Sequence, residues 1–118
     1  MAAPNVVNVT TITGKTAVAS LTTAVANVIT NSAASSQLYK INYISVANYS
    51  GSTISTAVMF NRSSTIYYLA GTVSIPAYST LVVSAKDTAI YLEEGDVLQA
   101  NVSANSAASI TASYEIIA

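Results

Sequence analysis

The run Asp96-Val97-Leu98-Gln99-Ala100-Asn101-Val102-Ser103 places Leu98, Ala100 and Val102 in one alternating set and Gln99, Asn101 and Ser103 in the other. Successive side chains of a strand point to opposite faces, so this spacing predicts a half-buried strand with one dry side and one wet side. Ile110-Thr111-Ala112-Ser113-Tyr114-Glu115-Ile116 repeats the pattern, with Ile110, Ala112, Tyr114 and Ile116 set against Thr111, Ser113 and Glu115. Working outward from these two runs, further strands are expected at 6–13, 16–21, 24–30, 38–49, 55–62, 65–70, 79–85 and 89–92, all rich in residues that suit a pleated surface. Turn chemistry separates them at Asn48-Tyr49-Ser50-Gly51, Ile75-Pro76-Ala77 and Glu93-Glu94-Gly95-Asp96, the last with a Gly able to supply positive φ. These are read as hairpin or sheet-crossing turns. The chain therefore reads as all-β, a single antiparallel β-sandwich, jelly-roll-like or immunoglobulin-like in strand order.

Two local features qualify that reading. Val18, Leu21, Val25 and Val28 fall at helical spacing, but Thr, Ser and β-branched residues lower helix propensity and no capping signature brackets the run, so two strands are expected instead. The tract Asn31-Ser32-Ala33-Ala34-Ser35 recurs as Asn105-Ser106-Ala107-Ala108-Ser109, each time just before a strand, and both copies read as loops.

At 118 residues the chain fits one domain, read as an arm over 1–9 followed by a sandwich over 10–118. With no Cys and no His, disulfides, thiolate nucleophiles, imidazole bases and the usual zinc sites are excluded. The four basic residues Lys15, Lys40, Arg62 and Lys86 are scattered singly and the net charge is −1, which builds no phosphate-binding stripe, so no nucleic-acid partner is expected. Met1-Ala2-Ala3-Pro4-Asn5 lacks the basic and apolar regions of a signal peptide, and no apolar run is long enough to span a membrane as a helix. Charged residues make up 8% of the chain, against roughly a quarter in an ordinary domain, while Ser and Thr supply 17 and 14 residues. Solitary β-proteins keep charges on their strand edges to prevent edge-to-edge pairing. Their scarcity here predicts that neighbouring subunits cover many edges, in a homo-oligomer for which a trimer is favoured.

Candidate chemistry is sparse. Gly14-Lys15-Thr16 resembles the end of a phosphate-binding loop, but Val9 stands where the first Gly belongs and no helix is expected to follow. Glu93, Glu94 and Asp96, with Asp87 nearby, carry oxygen ligands suited to a hard cation, yet their spacing matches no calcium loop and a solvated turn is the expected reading. Adjacent Glu93 and Glu94 would point to opposite faces of a strand, so they do not form a hydrolytic carboxylate pair. Four Asn-x-Ser/Thr sites begin at Asn8, Asn48, Asn61 and Asn101, and in so Asn-, Ser- and Thr-rich a chain they are expected to be unmodified. No catalytic residue, cofactor site or metal site is assigned, and the chain is not expected to be an enzyme. Eight Tyr and one Phe are the aromatic stock. On a strand, adjacent Tyr67 and Tyr68 would face opposite ways, and the outward one is a candidate interface anchor.

Ile90-Tyr91-Leu92-Glu93-Glu94-Gly95-Asp96-Val97-Leu98 and Ser113-Tyr114-Glu115-Ile116 resemble small β-sandwich virion proteins of tailed bacteriophages, particularly those infecting marine bacteria and cyanobacteria. Val9-Thr10-Thr11-Ile12-Thr13-Gly14-Lys15-Thr16 and Leu38-Tyr39-Lys40-Ile41-Asn42 are similar to the same group. The resemblance implies a structural component of the virion, made in the host cytoplasm. The expected role is a capsid decoration, or cement, protein that contacts copies of itself and the major capsid protein. The alternatives are a neck, collar or tail-fibre component, or a carbohydrate-binding module that stacks exposed Tyr on sugars. Pro4, Val6 and Val7 of the arm, with Tyr67 and Tyr68, are the expected interface residues.

Overall fold

A computed structural model of the chain describes residues 11–85 and 90–118. Among these residues the strands are β1 (Ile12–Leu21), β2 (Ala26–Thr30), β3 (Leu38–Asn48), β4 (Ile54–Arg62), β5 (Thr65–Ile75), β6 (Thr80–Ser84), β7 (Ile90–Leu92), β8 (Val97–Val102) and β9 (Ala108–Ile117), with no helix. One sheet runs β1-β9-β3-β6 and the other β2-β8-β4-β5, every pairing antiparallel. β6 pairs with the stretch of β3 from Ile44 to Ala47, and β7 with the stretch from Tyr39 to Ile41, so the two occupy one interrupted lane on the same edge.

The strand order decides between the two sandwich types. Only β4 and β5 are neighbours both in sequence and in a sheet, whereas an immunoglobulin sandwich pairs several consecutive strands. Every connection except β4–β5 and β6–β7 crosses from one sheet to the other. That is the doubled Greek key of a jelly roll.

The inner faces follow the alternation of the sequence. Leu98, Ala100 and Val102 of β8 are buried, and across the layer so are Ile110 and Ala112 of β9 and Ile41, Ile44 and Val46 of β3. Fully burying an aliphatic chain of this size contributes about 1.5–3 kcal/mol, and these residues form a single cluster. The Ala residues on β1, β8 and β9 keep that core thin.

Each end of the sandwich is pinned by one buried Asn. Asn48 donates through Nδ2 to the carbonyls of Ser52, Ile75 and Pro76 at 2.8, 3.0 and 3.1 Å, and its Oδ1 accepts from the backbone N–H and hydroxyl of Ser50. At the opposite end Asn31 donates to the carbonyls of Gln37 and Leu92 and accepts from the Ser35 hydroxyl. Crossing loops carry backbone groups that no ladder satisfies, and a buried side-chain amide supplies the missing partners. Because Asn48 is 2% exposed, its Asn-Tyr-Ser site is closed to modification in the folded chain.

The structure revises several expected boundaries. The runs split at Gly14 join into one strand, since Gly14 sits in extended backbone with open space around it. β5 continues to Ile75 instead of stopping at Ala70, because Gly71 and Thr72 form a bulge: Val58 pairs with Ala70, Thr56 with Val73, and Thr72 takes φ 58°. Of the second Asn-Ser-Ala-Ala-Ser tract, Ala108 and Ser109 belong to β9 and not to a loop. No helix forms over 18–28, which contributes the end of β1, a crossing and the start of β2. The expected arm over 1–9 lies outside the described residues.

Candidate functional site

β5 is the outer strand of its sheet, paired with β4 on one side only. The hairpin joining them turns through Ser63 and Ser64 alone, both at positive φ (53° and 65°), with Arg62 opposite Thr65. Two consecutive residues in that region make the type I′ turn that matches strand twist. From this tight turn β4 and β5 pair as a ribbon in regular register as far as Met59 and Tyr68.

Register fixes which way the ribbon's side chains point. Val58 faces the core and Phe60, of the same parity, packs against it, so Met59 lies on the opposite side, outside that cluster and itself covered to 3% exposure. Tyr67 pairs with Phe60 and so lies on the inner side, while Tyr68 pairs with Met59 and lies on the outer side. The expected in-and-out alternation is present, but it does not bury the inner ring. Tyr67 is 56% exposed and Tyr68 63%, because the inner side of the strand is open at this point. Ile66 and Leu69 are 38% and 36% exposed, giving four consecutive apolar residues accessible on both faces of an edge strand. The sequence reading missed Ile66 and Leu69. The available signal was a run apolar at both parities, directly after Ser-Ser, with no charge in it.

Beyond Met59 the outer face becomes polar. Asn27, Gln99, Met59 and Tyr68 form one cross-strand row through β2, β8, β4 and β5. Gln99 donates to Asn27 Oδ1 at 2.7 Å, and Asn61 lies 3.5 Å from Gln99 Oε1.

The base of the ribbon is fastened by charge. Arg62 donates from Nε to Asp96 Oδ1 at 2.9 Å and from Nη2 to Asp96 Oδ2 at 2.6 Å, and Nη2 also reaches Glu93 Oε2 at 2.8 Å. This bidentate geometry is the strong form of the pair. The Asp96 side chain is 3% exposed, against 43% for Arg62 and 62% for Glu93, so Asp96 is the desolvated member. Its Oδ2 also accepts from the Glu93 backbone N–H at 2.8 Å. The hydrogen bond to Asp96 raises the Arg62 pKa, with desolvation opposing and the charges of Asp96 and Glu93 reinforcing. The guanidinium carbon lies 4.9 Å from the centroid of the Phe60 ring, a cation–π contact that ties the charge to the core.

The acidic turn is thereby accounted for. Asp96 and Glu93 hold Arg62, and Glu94 Oε2 accepts from the Ser36 backbone N–H at 3.0 Å. Gly95 stands at φ 88°, with Asp96 N–H bonded back to the Glu93 carbonyl, so Gly supplies the positive φ the turn requires. A cleft of about 340 Å³ opens over Arg62, Ser63 and the residues from Glu93 to Asp96. Among the described residues no group of three or more His, Cys, Asp or Glu side chains is arranged to hold a metal ion.

Of the expected interface residues, the structure places Tyr67 and Tyr68 together on the β5 ribbon, while Pro4, Val6 and Val7 lie outside the described residues. Gly14, Lys15 and Thr16 lie within β1, where extended backbone cannot cradle a phosphate. No protein-family model matches the chain, and no curated protein matches it in sequence.

Proposed function

We propose that this chain is a structural component of a bacteriophage virion, acting as a decoration protein that stabilises the capsid in many copies and catalyses nothing. The observation that carries the reading is the uncharged edge at Ile66–Leu69, which a solitary molecule would leave open to uncontrolled pairing. The jelly-roll strand order is in keeping with it, since viral shell domains are among the proteins built this way, although lectins share the architecture. In this reading the ribbon serves contacts among copies, and the arm over 1–9, with Pro4, Val6 and Val7, reaches the major capsid protein. Many weak, neutral contacts then sum across a symmetric shell.

The test is to add the purified chain to particles assembled without it, then measure occupancy by quantitative electrophoresis and particle integrity on heating. Stoichiometric binding with a raised disruption temperature is expected. Failure of the full chain to bind, or unchanged occupancy after Tyr67→Ala and Tyr68→Ala together, removes this reading. A copy number far below that of the shell subunits moves the chain to the neck, collar or tail.

A second reading follows from the row Asn27, Gln99, Met59 and Tyr68, which sets an open aromatic face beside side-chain amides. Such a surface is suited to stacking on a sugar while donating and accepting hydrogen bonds. Glycan-array binding that disappears with Tyr68→Ala would favour it.

A further inference from the structure

We infer that the β5 edge pairs with the β5 edge of a second copy, antiparallel about a two-fold axis, so that the two four-stranded sheets join into one; this rests on the reading of the ribbon as an assembly surface. The edges of the molecule differ in how they resist pairing. β2 is 5 residues long and bulged, β6 and β7 are 5 and 3 residues long, and the open half of β1 carries Lys15. β5 is 11 residues long and contains neither charge nor Pro; its register with β4 shifts at Leu69 and again at Gly71 and Thr72, which leaves the regular stretch from Thr65 to Tyr68 available. Ile66, Tyr67 and Tyr68 lie within that stretch, and Leu69 follows it directly.

Charge and geometry select a second copy as the occupant. No ionisable side chain other than Tyr occurs from Ser63 to Ile75, so self-pairing opposes no like charges, whereas a charged partner strand would find nothing to pair with. Antiparallel pairing about an axis perpendicular to the sheet sets one residue opposite its own copy and closes the assembly, leaving no second β5 edge free. With that residue at Tyr67 or Tyr68, the aromatic and aliphatic side chains of the two ribbons meet on both faces. From their exposures, the four side chains offer on the order of 400 Å² per copy. The pair falls below the roughly 1,200 Å² total of a stable complex, which makes this a weak, concentration-dependent dimer that a shell would reinforce.

Sedimentation velocity on the full chain over a concentration series tests the pairing. The wild type is expected to shift from monomer toward dimer as concentration rises, and Tyr68→Lys, at an open position where folding tolerates it, should weaken the dimer at least about tenfold. Because the chain has no Cys, single substitutions report register directly. Tyr67→Cys or Tyr68→Cys should oxidise to a disulfide-linked dimer, since a residue facing its own copy has Cα atoms about 4.5–5.5 Å apart. Val82→Cys, exposed on the opposite sheet, should not. A wild type that stays monomeric throughout, a dimer that persists in Tyr68→Lys, or cross-linking that is equally efficient through Val82→Cys overturns the pairing. If the monomeric wild type nevertheless loads onto particles and Tyr68→Lys does not, the ribbon contacts another virion protein and the assembly role stands without the dimer.

Discussion

At one end of the sandwich the connections 22–25, 49–53, 76–79 and 103–107 gather around Asn48; at the other, 31–37, 63–64 and 93–96 gather around Asn31 and Asp96. The first group contains no charged residue. It is held by neutral bonds: Tyr49 N–H to the Ala107 carbonyl at 2.9 Å, Tyr78 N–H to the Ser50 carbonyl at 3.2 Å, and Thr23 N–H to Asn105 Oδ1 at 3.0 Å. The Tyr78 ring lies over Gly51, whose missing Cβ would stand 3.3 Å from the phenol oxygen. The second group concentrates Arg62, Glu93, Glu94 and Asp96, and the β4–β5 ribbon starts from it. A chain so poor in charge spends a large share of it fastening the element that is exposed. The crossing loops of the closed end need only amides and hydroxyls.

The sharpest way to break this contrast is Arg62→Met, which keeps an apolar stem near Phe60 and leaves the buried Asp96 carboxylate without its partner. An unpaired buried charge is costly even where the lost partner was half exposed, so a loss of about 3 kcal/mol is expected in urea unfolding. Arg62→Met combined with Asp96→Leu should recover part of it, since no carboxylate is then stranded. A loss below about 1 kcal/mol would class the pair with ordinary surface ion pairs and remove the distinction between the ends.

Next in size is Asn48→Ala at the uncharged end. It leaves the carbonyls of Ser52, Ile75 and Pro76 without that donor and Ser50 without its acceptor. A cost of about 2 kcal/mol is expected, with little dependence on salt because no ion pair is involved. Hydrogen exchange should show faster opening at 49–53 and 76–79 with 31–37 unchanged. Loss of protection at both ends would mean that the two pins act as one unit.

This division of labour also marks where the sequence could be read. Strand positions and faces follow a period of two, so the burial of Leu98, Ala100 and Val102 and of Ile110 and Ala112 was legible from local spacing. The hairpin ends at Arg62 and Thr65 were legible too, as the gap between two runs. Sheet order was not, because pairings such as Ala17 with Ala112 join residues at opposite ends of the chain. The extension of β5 past Gly71 was hidden because a bulge and a strand end carry the same local signal. Arg62 was visible only as an isolated cation, since its partner Asp96 lies 34 positions away. That Tyr67 takes the inner side and yet stays open was not legible, because alternation gives direction without saying how far the opposing layer reaches.

The smallest expected effect sharpens the comparison from the alkaline side. Tyr39 and Tyr114 stack with ring centroids 5.5 Å apart, and Tyr39 pairs with Leu92, whose carbonyl accepts from Asn31, so the stack belongs to the charged end. Burial raises the Tyr114 pKa above its ordinary value of 10.0, and Tyr39 raises it further. On raising the pH, the unfolded chain therefore loses this phenol proton first, while the folded chain still holds it. Unfolding then releases a proton, and stability falls with pH from near 10 until the folded phenol has also ionised. Below pH 10 the contribution is fully present. Tyr114→Phe should remove that part of the decline, leaving a shallower slope above pH 10 and nearly the same stability at neutral pH, read by urea unfolding at a series of pH values. Because the stack lies beside Asn31, hydrogen exchange in the wild type above pH 10 should rise at 31–37 before it rises at 49–53. The reverse order would place the weaker end of the sandwich at Asn48 and invert the comparison.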